Sequence, residues 1–138
     1  MVCIYCGGST EVKNSRLQKR VNQVWRRRYC KQCGAIFSTQ EVVQLSTALM
    51  VRYSGKNQLR PFSRDELFLS IYESCKHRRK AIDDTSAITQ TIISRLNGMS
   101  DTGSVLYTEL VDVVRSVLKN FDQTALAVYE GLHTTREI

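Results

Sequence analysis

Two pairs of cysteines near the N-terminus constrain the fold of this chain more than any other feature of its sequence. Each pair has the form Cys-x-x-Cys, a glycine follows each pair, and 23 residues separate the two pairs. Two intervening residues let one tight turn aim both sulfurs at a single ion, and two such turns complete a tetrahedron of four thiolates. Glycine suits the sharp turn that follows. We therefore predict a Zn²⁺ site formed by Cys3, Cys6, Cys30 and Cys33.

The cysteine arrangement favours a metal over disulfides. The chain has five cysteines, an odd number, and four of them lie within its first 33 residues. The alternative is a pair of redox Cys-x-x-Cys motifs, but neither pair lies in the βαβ context that such a motif needs. Four protein ligands leave no open coordination position, so we predict a structural zinc rather than a catalytic one. Its binding energy is expected to stabilise a segment that has little core.

Basic residues are concentrated in the same region. The formal net charge is +7, and residues 1–45 hold eight basic side chains against two acidic ones. The run Arg26 to Arg28 lies directly before the second cysteine pair, next to Trp25 and Tyr29, which we expect to be exposed. A run of charges is most often only a solvated surface, but a metal site that holds it beside aromatic side chains favours nucleic acid. We predict contacts with DNA phosphates or guanine edges from Arg16, Arg26, Arg27 and Arg28.

Several classes of protein are disfavoured. No stretch approaches the roughly 18 apolar residues of a membrane span, and the N-terminus has cysteines in place of the apolar region of a secretory signal. We therefore expect a cytoplasmic protein without a membrane partner. We find no Walker-A motif and no Ser/His/Asp or Cys/His arrangement of the kind that activates a nucleophile. The chain is therefore predicted not to be an enzyme.

The composition changes at about residue 45, from a Cys-, Gly- and Arg-rich segment to strand and helix patterns. We predict two domains, residues 1–45 and 46–138. In the second domain, the segment Ser46 to Tyr53 and the short run Gln58 to Arg60 flank turn-forming residues, which indicates a β-hairpin. The predicted fold class is α+β, with a small β-rich zinc ribbon followed by a hairpin and about four helices.

Capping residues and apolar periodicity predict those four helices. The first begins at Ser63, which has capping-box form with the glutamate three residues later. The second follows Asp83 and Asp84, and the third carries an apolar stripe from Leu110 to Phe121 at helical spacing. Asp122 then caps a fourth, shorter helix.

Three remaining residues of interest are not predicted to form a site. Cys75 falls on the apolar stripe of the first helix, so we expect it in the core. His77 and His133 have no cysteine or acidic partner in their sequence neighbourhood, so we expect both to be surface residues.

These motifs resemble one bacterial family in their order, spacing and flanks. The N-terminal region is similar to the zinc ribbon of the ribonucleotide reductase transcriptional repressors, the NrdR family, through the strings Cys3-x-x-Cys6, Asn14-Ser15-Arg16-Leu17, Arg26-Arg27-Arg28-x-Cys30-x-x-Cys33 and Phe37-Ser38-Thr39-x-Glu41. The remainder looks like the ATP-cone of that family, with a hairpin ending in Pro61-Phe62 and a closing segment from Leu118 to Ala125. Together the two resemblances cover almost the whole chain.

The resemblance implies a repressor of ribonucleotide reductase genes that binds paired promoter boxes in double-stranded DNA through its zinc ribbon. It also implies that the cone binds ATP and dATP, and that the nucleotide changes the state of a homo-oligomer and hence its affinity for DNA. The nucleotide-binding positions would then be Val51, Arg52, Tyr53, Arg60 and Phe62.

Departures from the family's pattern leave a second hypothesis open. Arg60 replaces the acidic residue before the hairpin proline, and Glu66 stands where the family places a phosphate-contacting lysine. A carboxylate close to a triphosphate is repulsive unless a neighbouring arginine compensates for it. The alternative is therefore a constitutive nucleic-acid-binding adaptor, with a zinc ribbon and a degenerate cone that serves for oligomerisation.

Overall fold

The computed structural model describes residues 1–53, 58–99 and 102–133. The chain divides into two compact units, Met1–Val43 and Gln44–Ile138. The first unit is built from strands, and the second combines a small sheet with helices. This α+β architecture confirms the predicted fold class.

The first unit is a three-stranded antiparallel sheet with the strand order β1-β2-β3. Its strands are β1 (Thr10–Gln18), β2 (Gln23–Cys30) and β3 (Ile36–Val42). A short 3₁₀ turn (Lys19–Val21) connects β1 to β2 and ends at Asn22, whose φ of 47° lies in the left-handed region that asparagine tolerates. The central strand β2 therefore carries the arginine run and delivers the second cysteine pair at its end.

This unit has almost no apolar core. Among residues 1–43, only Cys3 and Cys30 are buried. Large apolar side chains such as Leu17 and Val42 are 62% and 60% exposed. Backbone pairing and the cysteine cluster, rather than hydrophobic packing, must therefore hold these strands in place.

The second unit contains a mixed three-stranded sheet. Strand β4 (Met50–Tyr53) is central, pairing antiparallel with β5 (Gln58–Pro61) and parallel with β6 (Ser104–Leu106). The helices of the unit are α1 (Leu45–Ala48), α2 (Arg64–Cys75), α3 (Ala81–Met99), α4 (Tyr107–Phe121) and α5 (Gln123–His133). Helix α2 packs against α3 and α5, and α4 packs against the same two helices.

A continuous apolar core lies within this unit. The largest fully buried apolar side chains come from three helices and from the residue that follows β5, and they include Phe62, Ile71, Ile92, Leu96, Val114 and Leu118. Cys75 is fully buried among them, which confirms its predicted place in the core. No helix in the described ranges has the length and apolarity needed to cross a membrane.

The four predicted helices are present, and their caps follow local rules. The Ser63 hydroxyl accepts the backbone N–H of Glu66 at 3.2 Å, which confirms the predicted start of α2. Asp122 Oδ1 accepts the backbone N–H groups of Thr124 and Ala125 at 2.8 and 3.2 Å, as a residue that caps α5 should. The predicted start of the second helix is wrong, because α3 begins at Ala81 and includes Asp83 and Asp84 in its first turn instead of following them.

The predicted first strand of the hairpin is wrong in its N-terminal half. It was expected to begin at Ser46, but residues 45–48 form the helical turn α1 and β4 begins only at Met50. The Thr47 hydroxyl donates to the Gln44 carbonyl at 2.9 Å, a local bond that competes with extended backbone.

His77 is exposed, as predicted, but it contacts an acidic residue that is distant in the sequence. Its Nε2 lies 3.1 Å from Asp122 Oδ2, and the same carboxylate oxygen accepts a bond of 2.7 Å from Arg78 Nη1. Arg78 Nε also donates to Asp84 at 2.6 Å. The histidine therefore belongs to an ion-pair cluster that joins the end of α2 to the start of α5.

Candidate metal centre and nucleic-acid interface

The four predicted zinc ligands come together where β2 ends. All four sulfurs lie within 4.8 Å of one another. The Sγ atoms of Cys6 and Cys30 are 3.5 Å apart, and those of Cys3 and Cys33 are 3.7 Å apart. Zinc–sulfur bonds of about 2.3 Å in a tetrahedron place the sulfurs about 3.8 Å apart. The cluster therefore has the dimensions of a four-thiolate zinc site.

Two backbone turns of the same form present these sulfurs. The amide of Gly7 donates to the Cys3 carbonyl, and the amide of Gly34 donates to the Cys30 carbonyl, each at 3.0 Å. The φ angles of the two glycines are 72° and 73°, in the left-handed region where other residues are strained. The glycine after each cysteine pair is therefore required by the geometry of the turn.

Hydrogen bonding shifts the acidity of the crowded thiols in opposite directions. Bonds from the backbone amides of Cys33 and Gln32 help to lower the pKa of Cys30 to about 6. The Gly8 amide lowers the pKa of Cys6, but hydrogen bonding with Cys30 and the other thiols outweighs this and raises it. A divalent metal displaces protons that such a cluster retains, because thiolates are its ligands.

The residues present fit Zn²⁺. The donor set is four soft sulfurs with tetrahedral spacing, two of them buried and two exposed. With four protein ligands, the metal would have no open position for a substrate and would serve to hold the strands together.

The register of the ribbon separates the four predicted DNA-contacting arginines. Directly opposite residues of an antiparallel pair lie on the same face of the sheet. Arg16 is opposite Trp25, whereas Arg26 is opposite Ser15. We call the two surfaces the tryptophan face, which carries Arg16, Trp25 and Arg27, and the cysteine face, which carries Arg26, Arg28 and Cys30.

The expectation of exposed aromatic side chains next to the arginines is wrong. Trp25 and Tyr29 are both half-buried. They lie on the central strand, where side chains of β1 and β3 flank them on both sides. Lys13 Nζ lies over the Tyr29 ring, 5.1 Å from its centroid, and covers it further.

A cavity of about 130 Å³ lies beside the hairpin of the second unit. Three of the five predicted nucleotide-binding residues, Val51, Tyr53 and Phe62, line it, and Arg52 and Arg60 do not. The Arg60 guanidinium instead lies 5.5 Å from the centroid of the Tyr53 ring, and Arg52 is exposed. The cavity is smaller than the roughly 300–1,000 Å³ of typical ligand pockets, so a complete nucleotide would extend beyond it.

Sequence reasoning missed an aromatic cluster in the wall of this cavity. The Tyr53 and Tyr107 rings are stacked with centroids 4.9 Å apart. His133 packs against the Tyr129 ring at 4.2 Å, and its nitrogens lie 2.7 Å from the Ser70 hydroxyl and 3.3 Å from the Tyr107 hydroxyl. His133 was expected to be a surface residue without a cysteine or acidic partner nearby in the sequence, and the structure shows it half-buried. The helical spacing of Tyr129 and His133 could have indicated their contact, but no local pattern points to Ser70 and Tyr107, which lie far away in the sequence.

The ribbon and the full chain both match known proteins. Residues 1–41 match the family described as "Transcriptional repressor NrdR-like, N-terminal domain". The chain is 33% identical to the transcriptional repressor NrdR of Hyphomonas neptunium, over 96% of this chain and 82% of that protein. It is 33% identical to the repressor of Maricaulis maris over 96% and 81%, and 30% identical to that of Azorhizobium caulinodans over 99% and 80%.

All three relatives are named transcriptional repressors, which are regulatory proteins and not enzymes. The similarity extends from the ribbon through the second unit, so the resemblance read from the motifs is confirmed. The chain belongs to the NrdR family of transcriptional repressors and carries that family's zinc ribbon at its N-terminus.

Proposed function

We propose that this chain is a nucleotide-regulated repressor of ribonucleotide reductase genes. In this proposal, residues 1–45 are a zinc-dependent DNA-binding domain, and residues 46–138 bind ATP or dATP and set the oligomeric state. The observation that carries it is the combination, in one small N-terminal unit, of the four-cysteine cluster with eight basic and only two acidic side chains. The names of the relatives support the role in repression.

Cationic side chains on paired strands are well suited to duplex DNA. Contacts with phosphates supply affinity and register, and contacts with base edges supply sequence preference. The candidates in the ribbon are the arginines of β1 and β2, namely Arg16, Arg26, Arg27 and Arg28. A four-cysteine zinc site would fix these strands before binding, so little ordering cost would remain.

The cavity beside the hairpin supports nucleotide binding by the second unit. Its walls include the stacked Tyr53 and Tyr107 rings, which offer flat apolar surfaces to a purine base. Glu66 also lines the cavity, and its carboxylate repels phosphate there. The proposal therefore places the base in the cavity and the phosphates outside it, with exposed Arg52 and Arg60 as the candidate cations.

A change of assembly is sufficient as a switch. When two ribbons are joined in one oligomer, the second DNA contact becomes effectively intramolecular, which raises avidity by about 10²–10⁴ without any new contact. A nucleotide that alters how many ribbons face one promoter therefore alters repression.

The carboxylate of Glu66 in the cavity favours one other candidate function. If it prevents nucleotide binding, the chain is a constitutive DNA-binding adaptor whose second unit only oligomerises. The two functions differ in one observable, the effect of nucleotide on DNA affinity.

Calorimetric titration of ATP and of dATP into the zinc-loaded chain tests the proposal. It is paired with binding to a labelled duplex from a ribonucleotide reductase promoter, with and without nucleotide at matched salt. We expect measurable heat and a nucleotide-dependent change in DNA affinity. Tyr53→Leu should reduce nucleotide binding, whereas Tyr72→Leu should not, because Tyr72 stacks on Phe68 instead of lining the cavity. If neither nucleotide changes the affinity for DNA, the result would contradict the nucleotide-regulated repressor and favour the constitutive adaptor.

A further inference from the structure

We infer that the ribbon meets DNA with its tryptophan face alone, through Arg16 and Arg27. Arg26 and Arg28 are positioning residues that hold the sheet together from the cysteine face. The inference rests on the proposed function, because it divides the candidate arginines of the DNA-binding domain between two roles.

The two arginines of the cysteine face are already engaged within the ribbon. Arg26 Nη2 lies 3.0 Å from a carboxylate oxygen of Glu41 on β3. Arg28 Nε donates to the Thr39 hydroxyl on β3 at 3.2 Å, and its Nη1 donates to the Thr10 hydroxyl on β1 at 3.4 Å. Arg28 thus joins the central strand to both neighbours. A phosphate that contacted either guanidinium would compete with these partners for its charge and its N–H donors.

The arginines of the tryptophan face have no such engagement. Arg16 and Arg27 are both exposed, and Arg27 is the one exposed residue of β2. Within the described ranges of the chain, neither guanidinium forms an ion pair or a hydrogen bond. The two residues are diagonal neighbours across β1 and β2, a relation in which Cα atoms lie about 7–8 Å apart. They therefore form a pair of free cations on one surface.

The exposure of side chains along β3 indicates which face of the ribbon is accessible to a partner. The tryptophan-face residues Ser38 and Gln40 of this strand are exposed, whereas on the cysteine face Phe37 and Thr39 are half-buried and Glu41, the partner of Arg26, is exposed. The ring of Tyr5, from the first cysteine turn, packs edge-on against Phe37 with centroids 6.4 Å apart. The first cysteine turn thus covers part of the cysteine face.

The open face also carries neutral groups that can donate and accept hydrogen bonds. Asn14 lies opposite Arg27 on β1, Ser38 lies opposite Arg27 on β3, and Gln40 lies opposite Trp25. Such amide and hydroxyl side chains bind phosphates and base edges alike, and the major groove of DNA admits a β-ribbon. A duplex groove is the partner that this combination of cations, polar groups and flat shape fits.

Four substitutions, each with the same change in charge, test whether only the tryptophan-face arginines contact DNA. Arg16→Ala, Arg27→Ala, Arg26→Ala and Arg28→Ala each remove one positive charge from the full-length, zinc-loaded chain. The probe is a labelled ribonucleotide reductase promoter duplex, bound over a series of salt concentrations. We expect the two tryptophan-face variants to lose about tenfold in affinity and about one unit of salt slope each. The two cysteine-face variants should keep the slope and instead lower the melting temperature of the ribbon.

The possible outcomes distinguish a failure of the face assignment from a failure of the proposed DNA-binding function. Equal loss of slope in all four variants, or loss confined to Arg26→Ala and Arg28→Ala, overturns the face assignment but leaves DNA binding intact. No binding of the unaltered chain to duplex at low salt overturns the proposed function itself. Tighter binding to single-stranded RNA of the same sequence overturns the duplex groove as the partner. Zinc content reports folding, and Arg28→Gln, which keeps a donor for Thr39, replaces Arg28→Ala if that variant loses its metal.

Discussion

The two units of this chain are stabilised by different physics. Among the residues that the structure describes, eighteen apolar ones form the buried core of the second unit, whereas only Cys3 and Cys30 are buried in the first. A chain of about 40 residues cannot remove enough apolar surface from water to offset its loss of conformational entropy, and metals commonly supply the difference. The ribbon is therefore expected to depend on its ligand set, and the helical unit on packing.

Metal removal should have the largest effect and should affect only one unit. Binding of structural zinc contributes about 10–16 kcal/mol to the folding of comparable small modules. We expect chelation, or Cys33→Ser, to abolish amide protection in β1 to β3 while α2 to α5 stay protected in hydrogen exchange followed by mass spectrometry.

Cys75→Ser is the matched control for this prediction, because Cys75 lies in the apolar core of the other unit. It should lower the stability of the helical unit and leave the zinc content unchanged. If the amides of the three ribbon strands stay protected from exchange in zinc-free protein, the ribbon does not depend on the metal and the contrast between the two units is wrong.

Truncation of the helical core should produce the converse result. Leu118 is fully buried on α4, so Leu118→Ala is expected to cost about 2–5 kcal/mol of unfolding free energy through lost burial and a residual cavity. Denaturant unfolding of the helical signal measures this. Zinc content should not change, and Leu132→Ala, at a side chain that is 46% exposed, should cost less than about 0.5 kcal/mol. Zinc loss in Leu118→Ala would show that the units are coupled.

Asp122 tests a polar contribution to the helical unit. Its side chain is only 14% exposed, caps α5, and contacts Arg78 and His77. Asp122→Ala is expected to cost about 2 kcal/mol because both the cap and the charged contacts are lost. Asp122→Asn keeps a cap and should cost less. Urea unfolding of the two variants measures the free energy of unfolding that each loses. Equal losses would show that the charged contacts, and not the helix cap, account for the whole effect.

The same carboxylate gives the helical unit a pH dependence with a defined sign. Hydrogen bonds from Arg78 and His77 hold the pKa of Asp122 well below its usual range. A depressed pKa in the folded state contributes stability above the unfolded value near 3.8, and this is lost as the pH falls further. Urea midpoints below pH 4 should therefore fall more steeply for the unaltered chain than for Asp122→Asn.

A pair of glycine substitutions gives the smallest effects, with opposite signs in the two units. Gly7 has a φ of 72°, so Gly7→Ala is expected to destabilise the ribbon by about 1–2 kcal/mol although its Cβ meets nothing. Gly98 lies in the last turn of α3 with open space around it, so Gly98→Ala should stabilise the helical unit by up to about 1 kcal/mol. Thermal unfolding of each variant checks the signs.

Features that depend on local chemistry were predictable from the sequence. The spacing of the cysteines and the glycine after each pair indicated the metal cluster, and the caps at Ser63 and Asp122 indicated where helices begin. These signals span only a few residues, so they can be identified in the sequence without information about the fold.

Features that depend on distant contacts were not predictable in this way. Strand β6 has only three residues, too few for a periodic pattern, and it forms because β4 lies beside it. The partner of His77 and the hydrogen-bonding partners of His133 come from distant parts of the sequence. On the ribbon, Val12 and Asn14 are two residues apart and would lie on the same face of a regular strand. The register shift between them places them on opposite faces, and strict alternation of side chains does not predict this.

The central position of strand β4 has a kinetic consequence. Val51 pairs with Arg60, a few residues along the chain, and also with Val105, which follows two helices. The first pairing is a hairpin, which forms in about 1–10 μs. The second must close a long loop whose entropy opposes it until α2 and α3 have condensed. Folding of this unit is therefore expected to end with the docking of β6, at a rate governed by how quickly those two helices find each other.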